Sequence, residues 1–379
     1  MNRRTAVGLV ATVALLTAVA CSDDEPSAAP GEDPPAEDPG APEPGPIVLS
    51  TEGNNLNAYG TAPPFDKQTV IRTAADDPDG LDINGQLCFF PNDPHLLITG
   101  EDTGQPERTP GWGIFEVDGD RVGEVSAEPV GRLVPTYQDD PDNYGCGVLS
   151  DGRVVTTDLG AKLEGDGSGQ LIMWFPPFDS TDVSYCKLDV TLPTPGGIQV
   201  APDDTVYVAA ARPPGNGIVR FTGPFPTSAD AGGGCGRTDG TGAPLVDRIE
   251  KTLFIPADEH APTPNAVLLR EDGSFYVSSA FTGTIAHYDE AGGFVDTIVA
   301  PPAGETFGAT PFSTGSPFGM ALDADGVLWF ADLGLGIGED GVGPVDGAGT
   351  VRRLEPGAGA AEIVDQDLAF PDGIVLYQP

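Results

Sequence analysis

The last segment of the chain, Pro371-Asp-Gly-Ile-Val-Leu-Tyr377, decides the fold because it begins a repeat that the chain does not finish. The best-preserved copy, at residues 317–332, reads Pro-Phe-Gly-Met-Ala-Leu-Asp-Ala-Asp-Gly-Val-Leu-Trp-Phe-Ala-Asp. It contains a small residue, an apolar strand, an acidic turn and a second strand rich in the aromatic and branched residues that β-strands favour. The terminal copy contains only the first of these two strands.

Further copies of the unit lie upstream, at residues 84–99, 144–158, 195–210 and 264–279. A third strand that begins with glycine follows most copies, as in Gly283 to Tyr288. Each unit therefore predicts a small antiparallel sheet of four strands, which has two faces to bury and is not stable alone. Sheets of this kind bury their faces when they are arranged radially around an axis.

The strands missing from the terminal copy are found at the other end of the folded chain. Residues 47–51, 54–59 and 67–72 are predicted as three strands, which together with Ile374 to Tyr377 complete a sixth sheet. The sequence thus predicts an all-β domain over residues 47–379, a six-bladed β-propeller closed by three N-terminal strands and one C-terminal strand. A seven-bladed ring and a β-sandwich are the structural alternatives.

The motif of residues 317–332, repeated in part at Pro371-Asp-Gly373, resembles the senescence-marker/gluconolactonase family of six-bladed propellers, and NHL-repeat propellers share much of it. In that family, side chains just before the small residue of each repeat point into a central channel and hold a divalent cation, usually calcium. The resemblance implies calcium-dependent hydrolysis of a lactone or ester. Propellers also serve as pure binding proteins, so fold alone does not assign an activity.

Six positions of this chain correspond to those channel positions: Asn84, Tyr144, Gly196, Asn265, Phe318 and Asp372. Asn84, Asn265 and Asp372 are the oxygen donors among them, and the resemblance implies that they are the calcium ligands. None of the six is the Glu that the family uses. Calcium takes six to eight oxygen ligands, so further donors are needed.

The second strand of each repeat runs back towards the start of the first, which predicts additional carboxylates near the same rim. Asp158, Glu101 and Asp332 occupy such places, the first two as weaker metal ligands and Asp332 as a catalytic candidate. Asp158 and Asp332 have a competing structural interpretation, in which they accept backbone N–H groups of the next loop. His260, in the loop before Asn265, is the second catalytic candidate as a general base, with an ordinary surface histidine as the alternative.

The start of the chain predicts export. Arg3 and Arg4 precede an apolar run from Ala6 to Ala20, which is shorter than the ~20 residues of a membrane-spanning helix. The run ends in small residues followed by Cys21, which resembles a bacterial lipoprotein processing site. This implies a signal peptide at residues 1–21, lipidation of Cys21 and anchoring on the outer side of the cell membrane, with simple secretion as the alternative.

Residues 22–46 predict an extended tether. The segment contains eight prolines, eight acidic residues and no basic residue, so it has little to bury and stays solvated. It would hold the folded domain away from the membrane.

The four remaining cysteines form an even set, as expected for disulfides in an oxidising compartment. Three pairings are possible. We favour Cys88–Cys146 and Cys186–Cys235, because each of these bonds would join neighbouring units of the repeat.

Charge restricts the partners. The chain has 58 acidic and 18 basic residues, a formal net charge of −40, which repels nucleic acids and anionic lipids. We expect no nucleic-acid binding, membrane contact only through the lipid anchor, and a monomer. The predicted function is calcium-dependent hydrolysis of a lactone or ester in the channel. The alternative is a non-catalytic propeller that binds a small molecule or an envelope protein.

Overall fold

A closed ring of six four-stranded antiparallel sheets forms the described part of the chain, in agreement with the predicted β-propeller. The structure is a computed structural model. It describes residues 45–77, 79–102, 110–135, 143–159, 169–179, 183–230, 235–238, 244–247, 249–300, 315–338, 341–345 and 347–379. The signal peptide and nearly all of the tether lie outside these residues and stay predictions.

Each blade is built from four strands, which follow one another from the innermost to the outermost. Blades 1 to 3 consist, in turn, of Ile374–Tyr377, Ile47–Glu52, Asn55–Gly60 and Lys67–Ile71; of Asp82–Phe90, Asp93–Asp102, Gly111–Asp118 and Ser126–Leu133; and of Asn143–Val148, Val154–Asp158, Gly169–Trp174 and Tyr185–Leu192. Blades 4 to 6 consist of Pro195–Val200, Val206–Ala210, Gly217–Thr222 and Glu250–Pro256; of Pro264–Leu269, Phe275–Ser279, Thr284–Tyr288 and Phe294–Val299; and of Pro317–Leu322, Leu328–Asp332, Gly349–Leu354 and Glu362–Leu368.

Two short additions decorate the ring. Arg237–Thr238 and Pro244–Leu245, inserted before the last strand of blade 4, extend the sheet of blade 3 by a parallel pairing of Leu245 with Lys187. A hairpin of Leu335–Gly338 and Gly341–Pro344 lies between the second and third strands of blade 6. Neither addition interrupts the ring.

Blade 1 closes the ring as predicted. The last strand of the chain pairs antiparallel with the first, Val48 opposite Leu376 and Ser50 opposite Ile374. The ends of the folded domain are therefore hydrogen-bonded to each other, and each innermost strand has a neighbour on both sides. Closure in this way buries the sheet faces that an open array would expose at its two ends.

The hydrophobic core is divided among the seams between blades. Each of the six core clusters combines residues of two adjacent blades. At the seam of blades 2 and 3, for example, the rings of Trp112 and Trp174 lie with their centroids 5.8 Å apart, both fully buried. Because no blade has a core of its own, the blades are stable only as a ring.

Both predicted cysteine pairs lie at disulfide distance. The Cα atoms of Cys88 and Cys146 are 6.0 Å apart, and this bond joins the innermost strands of blades 2 and 3. Those of Cys186 and Cys235 are 6.2 Å apart, and this bond ties the outermost strand of blade 3 to the insertion of blade 4. Both bonds thus connect neighbouring units, which was the basis of the prediction. Within the described residues, no helix has the length and hydropathy to cross a bilayer.

Candidate functional site

The six innermost strands run side by side around the axis, each in contact with the next. We call the end of the channel where these strands begin the strand-start end. The six positions implied by the family resemblance lie there, because each is within two residues of the first residue of its strand. The opposite end, where the innermost strands finish, is the strand-end side.

The small residue of each repeat is explained by the close approach of neighbouring strands near the axis. A Cβ atom on Gly85 would lie 2.6 Å from the carbonyl oxygen of Tyr144 on the next blade. One on Gly319 would lie 2.7 Å from the carbonyl oxygen of Asp372. These distances are too short for a side chain, so the repeat keeps glycine or alanine here and the strand-start end is narrow.

Aromatic side chains occupy the strand-start end of the channel. The hydroxyl of Tyr144 on blade 3 accepts a hydrogen bond of 3.1 Å from the side-chain amide of Asn265 on blade 5. The phenol passes over blade 4 because Gly196 at the equivalent position has no side chain. The Tyr144 ring packs edge-to-face on Phe318 of blade 6, with the centroids 5.9 Å apart. Burial, followed by the nearby Asp372 carboxylate, raises the pKa of Tyr144, so it is a neutral phenol.

Asp372 is buried and fastened to the seam that closes the ring. Its Oδ2 accepts the backbone N–H of Gly85 on blade 2 at 2.8 Å, and its Oδ1 accepts that of Gly373 at 2.9 Å. The hydroxyl of Thr51 donates a further hydrogen bond to Oδ1. Burial raises the pKa of Asp372 to about 6, although these three hydrogen bonds act in the opposite direction. The carboxylate therefore joins blade 1 to blade 2 and strands of blade 1 to each other.

Asn84, the third implied calcium ligand, is half-buried and lies beside the second strand of its own blade. A Cβ on Gly100 would lie 2.6 Å from its Oδ1, so this oxygen rests against that glycine. Its backbone carbonyl accepts the hydroxyl of Thr99 at 3.1 Å. The Asn84 side chain thus contacts its own blade, whereas the Asn265 side chain on blade 5 contacts Tyr144 of blade 3.

Glu101 and Asp158 are buried at the ends of second strands, as the topology predicts. Glu101 is 2% exposed, and its Oε2 accepts a charged hydrogen bond of 2.9 Å from Nε of Arg132. Asp158 is fully buried and stands opposite Asn143 in the register of blade 3. The Asn143 amide donates to the carbonyl oxygen of Gly111, which ties blade 3 to blade 2.

The structural interpretation of Asp332 agrees with its contacts. Its Oδ1 accepts the backbone N–H of Ser316 at 2.7 Å and that of Gly334 at 3.3 Å. Its Oδ2 lies 3.7 Å from a guanidinium nitrogen of Arg352. The carboxylate thus holds the loops on both sides of the first two strands of blade 6.

His260 lies on the loop that connects blades 4 and 5, with its ring stacked on Phe294 of the outermost strand of blade 5. The two ring centroids are 3.5 Å apart and nearly parallel. Its Nε2 is 3.7 Å from the carboxylate of Glu259, and a third of the side chain is exposed. These contacts are those of the surface histidine that the sequence offers as the alternative.

The calcium ion implied by the resemblance requires several oxygens that converge on one point. The oxygens of Asp372 accept hydrogen bonds from Thr51 and from backbone N–H groups, and the phenol of Tyr144 reaches the amide of Asn265. No group of three or more His, Cys, Asp or Glu side chains in the described ranges is placed to share a metal ion. This arrangement does not fit the ion, and the calcium ligands stay a prediction.

A cavity of about 350 Å³ occupies the strand-end side of the axis. It is lined by all six innermost strands, and we call it the strand-end funnel: Gln86 to Phe89 with Pro91, Cys146 to Val148, Ile198 to Val200, Leu268, Met320 to Leu322 and Ile374 to Leu376. No side chain in this set is charged. Two of them, Gln86 and Gln199, are amides, and most of the others are aliphatic. The channel is narrow at the ring of small residues near the strand starts and wider on this side.

Gln86 separates the funnel from the strand-start end. Its amide nitrogen donates to the carbonyl oxygen of Ile198 at 2.7 Å, and its amide oxygen accepts the N–H of Ile198 at 2.7 Å. The same oxygen accepts the N–H of Cys146 at 3.3 Å. The side chain therefore reaches from blade 2 to blade 4 past blade 3, and it is the lining residue of blade 2 nearest the strand start.

The closure by Tyr144 and the funnel were not predicted from the sequence. The repeat identifies Tyr144 only as a channel position, although a long aromatic side chain next to the side-chain-free Gly196 is a signal for a crossing contact. The apolar residues that follow each small residue, such as Met320 and Leu322, are the signal for an apolar wall. Gln86 has no comparable signal, because its partners lie on strands far away in the sequence.

Comparison with solved structures gives similar folds at low sequence identity. One chain of the nidogen/laminin complex has a TM-score of 0.54 and 11% identity, covering 88% of this chain and 99% of that one. A luciferin-regenerating enzyme has a TM-score of 0.50 and 12% identity, covering 87% and 99%. Regucalcin from Agrobacterium tumefaciens, a calcium-binding protein, has a TM-score of 0.46 and 14% identity, covering 86% and 87%.

No protein-family model matches the sequence, and no curated protein matches it. The structural neighbours also include a gluconolactonase from Xanthomonas campestris and a virginiamycin B lyase from Staphylococcus aureus. The predicted six-bladed propeller architecture is confirmed by the ring of six four-stranded sheets. At these identities the similarity shows the fold alone: the chain is a six-bladed β-propeller.

Proposed function

We propose that this protein is an extracytoplasmic propeller that binds a small molecule without chemical turnover. The observation that carries the proposal is the hydrogen bond between Tyr144 and Asn265, which spans the end of the channel where the resemblance implies a catalytic cation. A binding role needs no reacting group at that end. It is also compatible with two disulfide-distance cysteine pairs, which suit an oxidising compartment.

Calcium binding and hydrolysis assays test this proposal. A ligand that binds only the folded state, at a free concentration one hundred times its Kd, raises the free energy of unfolding by ~2.7 kcal/mol. We expect that millimolar calcium leaves the unfolding midpoint of EDTA-treated protein unchanged, and that lactones and simple esters are not hydrolysed faster than in buffer. Calcium-dependent hydrolysis that disappears in Asn265→Ala, with the fold intact, would overturn the proposal.

Calcium-dependent hydrolysis of a lactone or ester is the competing function. It is favoured by the proximity of Tyr144, Asn265 and Asp372, two of which are implied ligands, and by the pKa of about 6 at Asp372. It requires that the Tyr144 side chain leave the axis. The substitution Tyr144→Ala removes this side chain from the strand-start end. If the wild type binds calcium as well as Tyr144→Ala does, Tyr144 does not block the ion, which would favour the competing function.

Attachment to the cell surface through lipidated Cys21 is part of the proposal. It is supported by the small residues before Cys21 and by the acidic, proline-rich composition of residues 22–46. In an exporting bacterial host, Cys21→Ser should lose fatty-acid labelling and move from the membrane fraction to the medium. Ser22→Ala is the matched control and should stay membrane-bound; release of wild type and both variants alike would indicate secretion.

A further inference from the structure

We infer that the strand-end funnel is the binding site, and that its ligand is a small, uncharged and predominantly apolar molecule. This inference deepens the proposed function and rests on it. The residues brought together come from all six innermost strands, which meet only at the axis. No segment of the sequence contains the site by itself.

The chemistry of the wall selects an uncharged ligand. None of the lining residues carries a titratable acidic or basic group. A charged molecule placed there would lose its hydration with no opposite charge to replace it, which is costly. The protein as a whole is strongly acidic, with a net charge of −40, so anions are also repelled at a distance.

The polar side chains of the wall already have partners in the protein. Gln86 uses both ends of its amide on Ile198. Gln199 donates to the carbonyl of Val200 at 3.0 Å and accepts the N–H of Leu269 at 3.5 Å. A ligand therefore meets few free hydrogen-bonding groups here, and the contacts offered to it are mainly aliphatic.

Apolar side chains along the funnel are only half-buried, although they lie at the centre of the domain. Leu268, Met320, Leu322, Val375 and Leu376 all share this property. An apolar ligand would remove their remaining surface from water, which is favourable in proportion to the area covered. Met320 adds a flexible and polarisable side chain that adapts to ligand shape.

The size of the cavity favours a small molecule over a protein segment. Sites for small ligands measure roughly 300–1,000 Å³, and the funnel, at about 350 Å³, is at the lower end. The chain's own tether is a competing occupant, because it precedes Ile47, which pairs with Tyr377 at this side of the ring. Residues 22–46 carry eight acidic residues, however, which an uncharged apolar wall does not accommodate.

Methyl NMR on the full-length wild-type chain tests the site directly. The chain has three methionines: Met320 lines the funnel, Met173 is fully buried in blade 3, and Met1 begins the chain. We expect N-phenyl-1-naphthylamine, a neutral apolar probe, to shift the Met320 methyl signal in a saturable manner and leave Met173 unchanged. A bound probe that moves Met173 or neither methyl would overturn the inference, as would a folded protein that does not bind it.

Two pairs of variants add an independent measurement by probe fluorescence. Val375→Trp fills the funnel and Gln199→Glu places a charge in its wall with little change of shape; both should weaken probe binding at least tenfold. The matched controls are Val295→Trp and Gln366→Glu, on the exposed outermost strands of blades 5 and 6, and should stay within twofold of wild type. Equal binding by funnel and control variants would contradict the inference.

Failure of this inference is distinguishable from failure of the proposed function. A protein that does not take the probe in the funnel, and also neither binds calcium nor hydrolyses lactones, is still a binding propeller with its site elsewhere. Calcium-dependent turnover at the strand-start end overturns the proposed function whatever the probe does.

Discussion

The side-chain amide of Asn265 donates a hydrogen bond of 3.1 Å to the hydroxyl of Tyr144, although 121 residues separate them in the sequence. The bond connects blades 5 and 3 and passes over blade 4, where Gly196 leaves room. It closes the end of the channel at which the gluconolactonase resemblance places a cation. A polar contact that crosses the axis in this way binds non-adjacent blades to each other.

Tyr144→Phe should lower the free energy of unfolding by about 1–2 kcal/mol, because the partly buried Asn265 amide loses its acceptor while the ring packing on Phe318 is retained. Urea unfolding followed by fluorescence measures the change. Tyr276→Phe is the matched control, since that half-buried ring on the second strand of blade 5 stacks with Arg270, and a change within about 0.5 kcal/mol is expected. Equal losses in the two variants would refute a special role for the crossing bond.

Stability should depend on pH through Asp372. Burial raises its pKa from 3.8 to about 6, so the folded state holds this proton more tightly than the unfolded state. The contribution is complete below pH ~4 and is lost as the pH rises through about 6, with a total of about 3 kcal/mol. The stability of wild type minus that of Asp372→Asn should therefore decrease between pH 4 and pH 7.

Asp272→Asn serves as the opposite-sign control for this pH series. The Ser274 hydroxyl bonded to the exposed Asp272 carboxylate lowers its pKa, so its stabilisation is present above its unfolded-state pKa of 3.8 and is lost as the pH falls. The two difference curves should slope in opposite directions. A stability difference for Asp372→Asn that grows with rising pH would show that its hydrogen bonds outweigh burial.

Removal of the Cys88–Cys146 bond should destabilise the ring. The bond closes a loop of 58 residues between the innermost strands of blades 2 and 3, and a loop of that length is worth about 4 kcal/mol in the chain-entropy account. Urea unfolding of Cys88→Ala/Cys146→Ala measures the loss. Peptide mapping without reductant should recover the 88–146 and 186–235 links; a peptide that joins Cys88 to Cys186 would contradict the pairing.

Arg132→Met should cost about 3 kcal/mol of stability, because it removes the guanidinium that donates a charged hydrogen bond to the carboxylate of Glu101, which is 2% exposed. Arg237→Met removes an ion pair with Asp247 in which both side chains are about half exposed, so it should change stability by less than about 1 kcal/mol. Thermal unfolding of the two variants side by side gives the comparison. Similar midpoints would mean that the Glu101 pair is no stronger than a surface pair.

Several features were predictable from the sequence because they depend on local pattern and on the rules of β-structure. The unfinished repeat at Pro371 to Tyr377 needs partner strands, and the only spare ones precede residue 72, so ring closure follows from counting strands. The cysteine pairs were favoured among three possible pairings on the same order, because neighbouring repeats lie side by side. The structure confirms both.

The candidate site was predictable only in part. Asp372 and Asn265 lie at the strand-start end of the channel, as their place in the repeat requires, yet their side chains are used for hydrogen bonds within the protein. Which way a side chain turns at the axis depends on all six blades at once. Residue type and spacing within one repeat do not contain that information.

What the sequence alone determined is the number of blades, their closure and the positions that face the axis, because repeat length, strand alternation and turn residues act locally. Only the tertiary structure decided which side chains contact one another across the channel. Tyr144 reaches Asn265 and Gln86 reaches Ile198 because side chains from distant strands meet where the blades converge. Those long-range contacts separate the strand-start end, which Tyr144 spans, from the apolar strand-end funnel.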